Sequence, residues 1–207
     1  MVVRALVIAL IVFITLPLAA GTPSVEARKK KKTVLATYTF TGPFVLPGSG
    51  PANPYPVPIN VTGLKKGKIK DVNVILNGFT YDVPDDIDIL LVASHLPGRD
   101  AIIMSDVGGA VAVNNINLTL DDAAATTLPD IGPLVSGTFK PTNIDSGVPD
   151  TFPPPAPVPS GNSALSVFNG QKANGEWQLF INDAPGNGPG SIASWSLEIT
   201  AKVKKKK

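Results

Sequence analysis

Proline and glycine set the terms for this chain. They supply 21 and 19 of its 207 residues, without a collagen-like period. Proline inside a helix removes a hydrogen bond and clashes with the preceding turn, and glycine there loses extra backbone entropy. Helices are confined to the few windows between such residues. In those windows the apolar residues recur every second position, not at the helical period of about 3.6. Val34, Ala36, Tyr38 and Phe40 alternate in this way, as do Val72, Val74 and Leu76. Trp177, Leu179 and Ile181 form a third such face, and Trp195, Leu197 and Ile199 a fourth. The run IDILLVA at 87–93 is apolar almost throughout, as a central strand buried on both faces would be. Further strands are expected at 59–64, 101–106, 116–120, 138–140 and 165–168. Residues 121–127 (DDAAATT) are the one helix candidate. Residues 41–58 hold too much proline for a regular element, and 148–159 read as an extended surface connection. The expected fold class is all-β, an antiparallel β-sandwich or jelly roll of about eight to ten short strands.

The ends carry a different message. Residues 1–27 read as a secretory signal peptide, with Arg4 before an apolar run at 5–18 and small residues at Val25 and Ala27 for cleavage. A membrane span needs about 20 apolar residues, more than this run offers. No transmembrane segment is expected after cleavage, and the expected location is secreted, extracellular or attached to the cell envelope. Arg28, Lys29, Lys30, Lys31 and Lys32 then open the chain, and Lys202, Lys204, Lys205, Lys206 and Lys207 close it. Between them, residues 33–201 hold seven Lys and Arg against fifteen Asp and Glu, a net of −8. The expected organisation is therefore a signal peptide at 1–27, a basic tail at 28–32, a sandwich at 33–201 and a second basic tail at 202–207. Like-charge runs repel themselves and stay solvated. They also suit an electrostatic tether to an anionic envelope polymer, or contact with the acidic body of another molecule. Neither tail has an aromatic residue to stack on bases, so nucleic acid is not an expected partner.

Several chemistries are excluded or weakened. There is no Cys, hence no disulfide framework, thiolate nucleophile or Cys-based metal site. The single His, His95, sits in a turn with Pro97 and Gly98 and reads as an exposed loop residue. Ser163 precedes an expected strand, not the strained turn a nucleophile needs, so a Ser163–His95 pair is not expected to catalyse. Glu176 and Glu198 are the only Glu in the body, and paired carboxylates serve glycosidases. No motif supports that reading here. Trp177 and Trp195 could stack on sugar, but their alternation with apolar partners places them in the core. The acidic cluster is the strongest candidate for a cofactor. Asp85, Asp86, Asp88 and Asp106 are candidate calcium ligands, because a hard cation taking six to eight oxygens would offset such crowding, roughly as carboxylate-rich loops do. The alternative is solvated edge protection by exposed Asp.

Two segments bring a family into view. Residues 71–109 contain the DDIDILLV strand. Residues 161–200 contain Gly175-Glu176-Trp177-Gln178-Leu179 and Ser194-Trp195-Ser196-Leu197. In this order they resemble the P domain, or Homo B domain, of subtilisin-like proprotein convertases, in the free-standing secreted bacterial form. The resemblance covers most of 33–201. It implies a jelly-roll sandwich that, in the convertases, packs on and stabilises a Ser-His-Asp protease domain. No such protease domain is expected here, and Tyr81-Asp82-Val83 stands where many members carry His before the acidic strand. The expectation is a non-catalytic binding or structural module. The alternatives are an accessory domain that stabilises or targets a separate subtilisin-like serine protease, and a carbohydrate-binding module.

Overall fold

The computed structural model describes residues 31–144, 149–184 and 188–204. Eleven strands run through them: β1 (Lys31–Leu46), β2 (Gly50–Pro51), β3 (Val57–Val61), β4 (Lys68–Tyr81), β5 (Ile87–Val92), β6 (Asp100–Ser105), β7 (Val113–Leu120), β8 (Gly137–Phe139), β9 (Thr142–Asn143), β10 (Gly175–Asp183) and β11 (Gly190–Lys204). The helical elements among the described residues are two short 3-10 turns, Pro84–Asp86 and Leu165–Phe168. The first sheet has the order β1-β11-β4-β7-β8. The second has the order β2-β10-β5-β6-β9, with β3 sharing the outer edge of β10. The fold is an all-β sandwich.

The period-two faces close on each other between the sheets. Val72, Val74 and Leu76 from β4 meet Trp195, Leu197 and Ile199 from β11 in register. Trp177, Leu179 and Ile181 face them from β10, and all belong to one fully buried cluster. A second, smaller cluster lies on the other side of the second sheet. Leu90, Val92, Ile102 and Phe180 point away from the main core and are covered by Phe152, Tyr55 and Ala156. The Tyr55 ring meets Phe180 edge-on at 5.0 Å, and its hydroxyl donates to the Pro153 carbonyl at 2.9 Å. This double burial explains why β5 is apolar on both faces.

Four details depart from the sequence reading. First, the strand at residue 33 starts at Lys31 and runs past Gly42-Pro43 to Leu46, through a bulge between Thr41 and Phe44. The bulge leaves Pro43, which has no N–H, outside the ladder. The two-residue β2 also falls within 41–58, where no regular element was expected, and β3 begins at Val57, two residues ahead of the strand expected at 59–64. Second, 165–168 is a 3-10 turn and not a strand. Residues three apart eclipse in that geometry, and this puts both Leu165 and Phe168 into the core. Third, 149–159 is not merely a surface connection, since Phe152 is buried under it. Fourth, two pairings are parallel, β6 with β9 and β7 with β8, and three strands are long, β1, β4 and β11 having 16, 14 and 15 residues. The DDAAATT segment forms a single turn, with the Ala124 N–H donating to the Asp121 carbonyl at 3.0 Å.

Strand direction sorts the charges. β1 begins, and β11 ends, at one pole of the sandwich, with Lys31 opposite Lys204. β4 starts there too, with Lys68 opposite Lys202. β4, β6 and β10 end at the other pole, on Tyr81, Ser105 and Asp183, and β5 starts there beside Asp88. One pole is thus cationic and the other anionic.

Candidate functional site

The cationic pole is assembled from three strands and one turn. On the outer face of the first sheet, Lys31 stands opposite Lys204, and Lys202 opposite Lys68. Lys68 is also bridged to Lys172. All of Lys31, Lys68, Lys202 and Lys204 are exposed. Like charges directly opposite on a sheet destabilise it, so this end of the fold is held against its own electrostatics. Beside that face, the open end of the sandwich forms a cleft of about 730 Å³ lined by Lys32, Val34, Leu64, Lys65, Val203 and Lys204. Its floor is apolar, with Leu64 and Val203 buried and Val34 half-buried. Its rim is three lysines. The tight turn that places Lys65 closes with the Gly67 N–H donating to the Leu64 carbonyl at 2.8 Å. A Cβ on Gly67 would meet that same oxygen at 2.7 Å.

Of the nine basic residues assigned to a tether, Lys31, Lys32 and Lys204 lie within strands, not in loose tails. Arg28, Lys29, Lys30, Lys205, Lys206 and Lys207 lie outside the described residues. Lys65, Lys68 and Lys172 were missed. Lys65 and Lys68 read as ordinary hairpin residues, and nothing in their spacing places them beside the two chain ends.

At the anionic pole the four candidate calcium ligands are split. Among the described residues no group of three or more His, Cys, Asp or Glu is arranged to hold a metal ion. Asp88 and Asp106 meet at Ser105, whose Oγ lies 2.6 Å from Asp88 Oδ1, 2.8 Å from Asp150 Oδ1 and 3.5 Å from Asp106 Oδ2. A hydroxyl has one proton to donate. Two short contacts to carboxylate oxygens therefore call for a second proton on one carboxyl. Burial, with Asp150, Asp106 and Asp86 adding, pushes the Asp88 pKa up to about 7 against the lowering effect of Ser105, a shift that favours the protonated form there. Asn143 Nδ2 donates to the other oxygen of Asp150 at 3.0 Å. Asn182 stands opposite Asp88 in register, its Oδ1 buried with no hydrogen-bond partner among the described residues. Asp85 turns elsewhere. Its pKa is raised by burial first and by Asp86 and Asp130 after that, and is lowered by a hydrogen bond from the Gly109 backbone. Asp86 closes the first 3-10 turn, and its carbonyl accepts from the Ala184 N–H at 2.9 Å. Ser105, Asn143 and Asp150 come from a strand end, a two-residue strand and a proline-rich connection, so no local motif could announce them.

A neighbouring contact ties the sheets together. The Tyr81 hydroxyl, from the first sheet, donates to Asp183 Oδ1 at 2.5 Å, and the Gly48 N–H donates to Asp183 Oδ2 at 2.8 Å. Asp183 is fully buried. Its pKa is raised by desolvation and held back by these two bonds. This satisfies a buried carboxyl and needs no ligand.

The catalytic alternatives do not assemble. His95 is half-buried, not loose in its turn. Its Nδ1 and Nε2 lie 3.1 Å from the Glu176 and Lys172 carbonyls, and its ring packs edge-on to Trp177 at 5.9 Å. Both nitrogens face backbone oxygen and not Ser163. Glu176 and Glu198 point out of different sheets, on opposite sides of the sandwich, because their neighbours Trp177 and Leu197 point in. Two such groups cannot flank one glycosidic bond. Trp177 and Trp195 are completely buried and offer no face to a sugar.

No protein-family model matches the chain, and no curated protein matches it. Among solved structures, it is similar to a chain in the complex of the Aeromonas sobria serine protease with its chaperone. The identity is 12%, the TM-score is 0.40, and 86% of this chain is covered. The same organism's serine protease alone gives 12% identity, a TM-score of 0.39 and 83% coverage. This chain spans 28% and 27% of the length of those two. Similarity this slight carries neither activity nor partner across.

Proposed function

We propose that this protein is a non-catalytic, exported binding module that attaches to an anionic polymer of the cell envelope through its cationic pole. The observation that carries the reading is the in-register placement of Lys31 against Lys204 and of Lys202 against Lys68. Such pairs lower stability on their own and gain when a polyanion takes the place of scattered counterions. The described chain enters at Lys31 and leaves at Lys204 on the same face. The apolar leader at 1–27 supports export.

The test is co-sedimentation of residues 28–207 with envelope material from the source organism. At about 20 mM salt the protein pellets, and at about 500 mM, where the screening length falls to a few ångströms, it is released. The triple variant Lys31→Gln, Lys68→Gln, Lys202→Gln stays in the supernatant at low salt while its melting temperature holds or rises. Pelleting that survives both high salt and the triple variant overturns the reading.

A second reading has an observation of its own. The motifs that resemble the convertase P domain fall on β5, β10 and β11, strands paired on both sides in their respective sheets. The resemblance thus lies in the frame of the sandwich, and it supports service as an accessory domain to a separate subtilisin-like protease. A longer half-life of such a protease at elevated temperature, when this protein is added, is the expected sign.

A further inference from the structure

The two poles of the molecule carry complementary surfaces, and the complementarity is more than charge. At the anionic pole, the loop after β6 and the loop between β7 and β8 abut. The Gly108 N–H donates to the Pro129 carbonyl at 2.8 Å, and a Cβ on Gly109 would lie 3.7 Å from Ile131 Cα. Together they raise an apolar knuckle. Ile131 is 86% exposed, with Val135 and Val111 also open to solvent. Asp130 is exposed on the same knuckle, and Asp85 lies at its base, close enough to feel that charge. An isolated exposed Ile needs no explanation, but an Ile between carboxylates at a pole does have a counterpart on this same chain. The cleft at the opposite pole has an apolar floor of Val34, Leu64 and Val203 and a rim of Lys32, Lys65 and Lys204. An apolar tip flanked by carboxylates is the shape and charge that such a cleft accepts.

We propose that the lysine-rimmed cleft of one copy receives the Asp130–Ile131 knuckle of a second copy. Cleft and knuckle lie at opposite ends of the sandwich, so the contact is head to tail. It does not close on itself in a dimer, and it propagates as an open row. The contact uses the open end of the sandwich, whereas the envelope-binding lysines Lys31, Lys68 and Lys202 lie on the outer face of the first sheet. A copy held by that face still presents its knuckle to the next one. The inference does not depend on the envelope reading and is tested without any polymer present.

The experiment is sedimentation velocity of residues 28–207 over a concentration series. At about 20 mM salt the weight-average sedimentation coefficient climbs with concentration without a plateau at dimer, and at about 500 mM it returns to the monomer value. The cleft variant Lys32→Glu with Lys65→Glu, and the knuckle variant Asp130→Asn with Ile131→Ser, each sediment as monomers when alone. All four positions except Ile131 carry charged exposed side chains, and Ile131 is itself solvent-exposed, so melting curves unchanged from the parent certify the fold. Mixed in equal amounts, the two variants retain one intact cleft and one intact knuckle, and they form a dimer and nothing larger. A parent chain that is monomeric throughout the series overturns the proposal. So do variants that still associate alone, or a mixture that stays monomeric.

Discussion

Gly175 shows what the Gly-x-Trp motif does physically. Its φ of +144° is open to glycine and strained for other residues. A Cβ there would lie 2.2 Å from His95 Cγ, because the imidazole packs across the strand on its way to the Glu176 and Lys172 carbonyls. Gly175→Ala is therefore expected to displace His95 and to lower stability by about 1–3 kcal/mol, through overpacking added to backbone strain. A shift of the urea midpoint measures it. If the parent and the variant unfold together, the packing of His95 over Gly175 is wrong. The motif was plain in the sequence, but this reason for its glycine was not. His95 reaches it from a turn 80 residues away, and a lone His next to Pro97 and Gly98 gives no sign of such a contact. Asp88 was legible in the same partial way. Its crowding among carboxylates could be read, but Ser105, which bonds it, and Asp150 and Asn143, which continue that network, come from three other places in the chain.

At the scale of elements, alternation was a sufficient guide wherever one face of a strand meets the core and the other meets water. That is the case for β4 and β11, and β10 was recognisable from its inner face of Trp177, Leu179 and Ile181 although Phe180 is buried on the other side. It failed where proline interrupts a strand without ending it, as at Pro43 in β1, since a bulge is a tertiary solution to a local defect. It failed again for 149–159, where composition speaks only of an extended chain. The single Phe152 makes that segment a strap, sealing the outer side of β5, β6 and β10 together with Tyr55. Phe152→Ala is expected to cost about 3 kcal/mol, the low end for a large core truncation, because the strap can settle into the space. Val158, 91% exposed on the same strap, is expected to tolerate Ala within about 0.5 kcal/mol. Thermal unfolding of the two variants side by side separates a strap from a mere connection. Equal stability would mean that the outer cluster contributes nothing.

At the scale of the whole molecule, Asp71, Asp85, Asp88 and Asp183 are all displaced upward, burial leading in each. A carboxyl whose folded pKa exceeds its unfolded value holds its proton more tightly when folded. Its stabilisation is complete below about pH 4 and is lost as the pH rises through the folded pKa, near 7 for Asp88. Each unit of that separation is worth about 1.4 kcal/mol. Melting temperature is thus expected to fall between about pH 4 and pH 7 and to level off above, the reverse of ordinary acid denaturation. Asp88→Asn flattens most of the slope and raises the melting temperature at pH 8. A parent profile that rises with pH would contradict the proton shared around Ser105. The bipolar layout itself was hidden from the sequence, where basic ends around an acidic body are visible but the directions of the strands are not. Finally, the pairing of Lys31 with Lys204 leaves entry and exit about one strand spacing apart, roughly 5 Å. A chain built this way can be spliced as an insert into a surface loop of an unrelated protein without prising that loop open. Its own ends can likewise be joined and the chain recut at the far pole, with every strand kept.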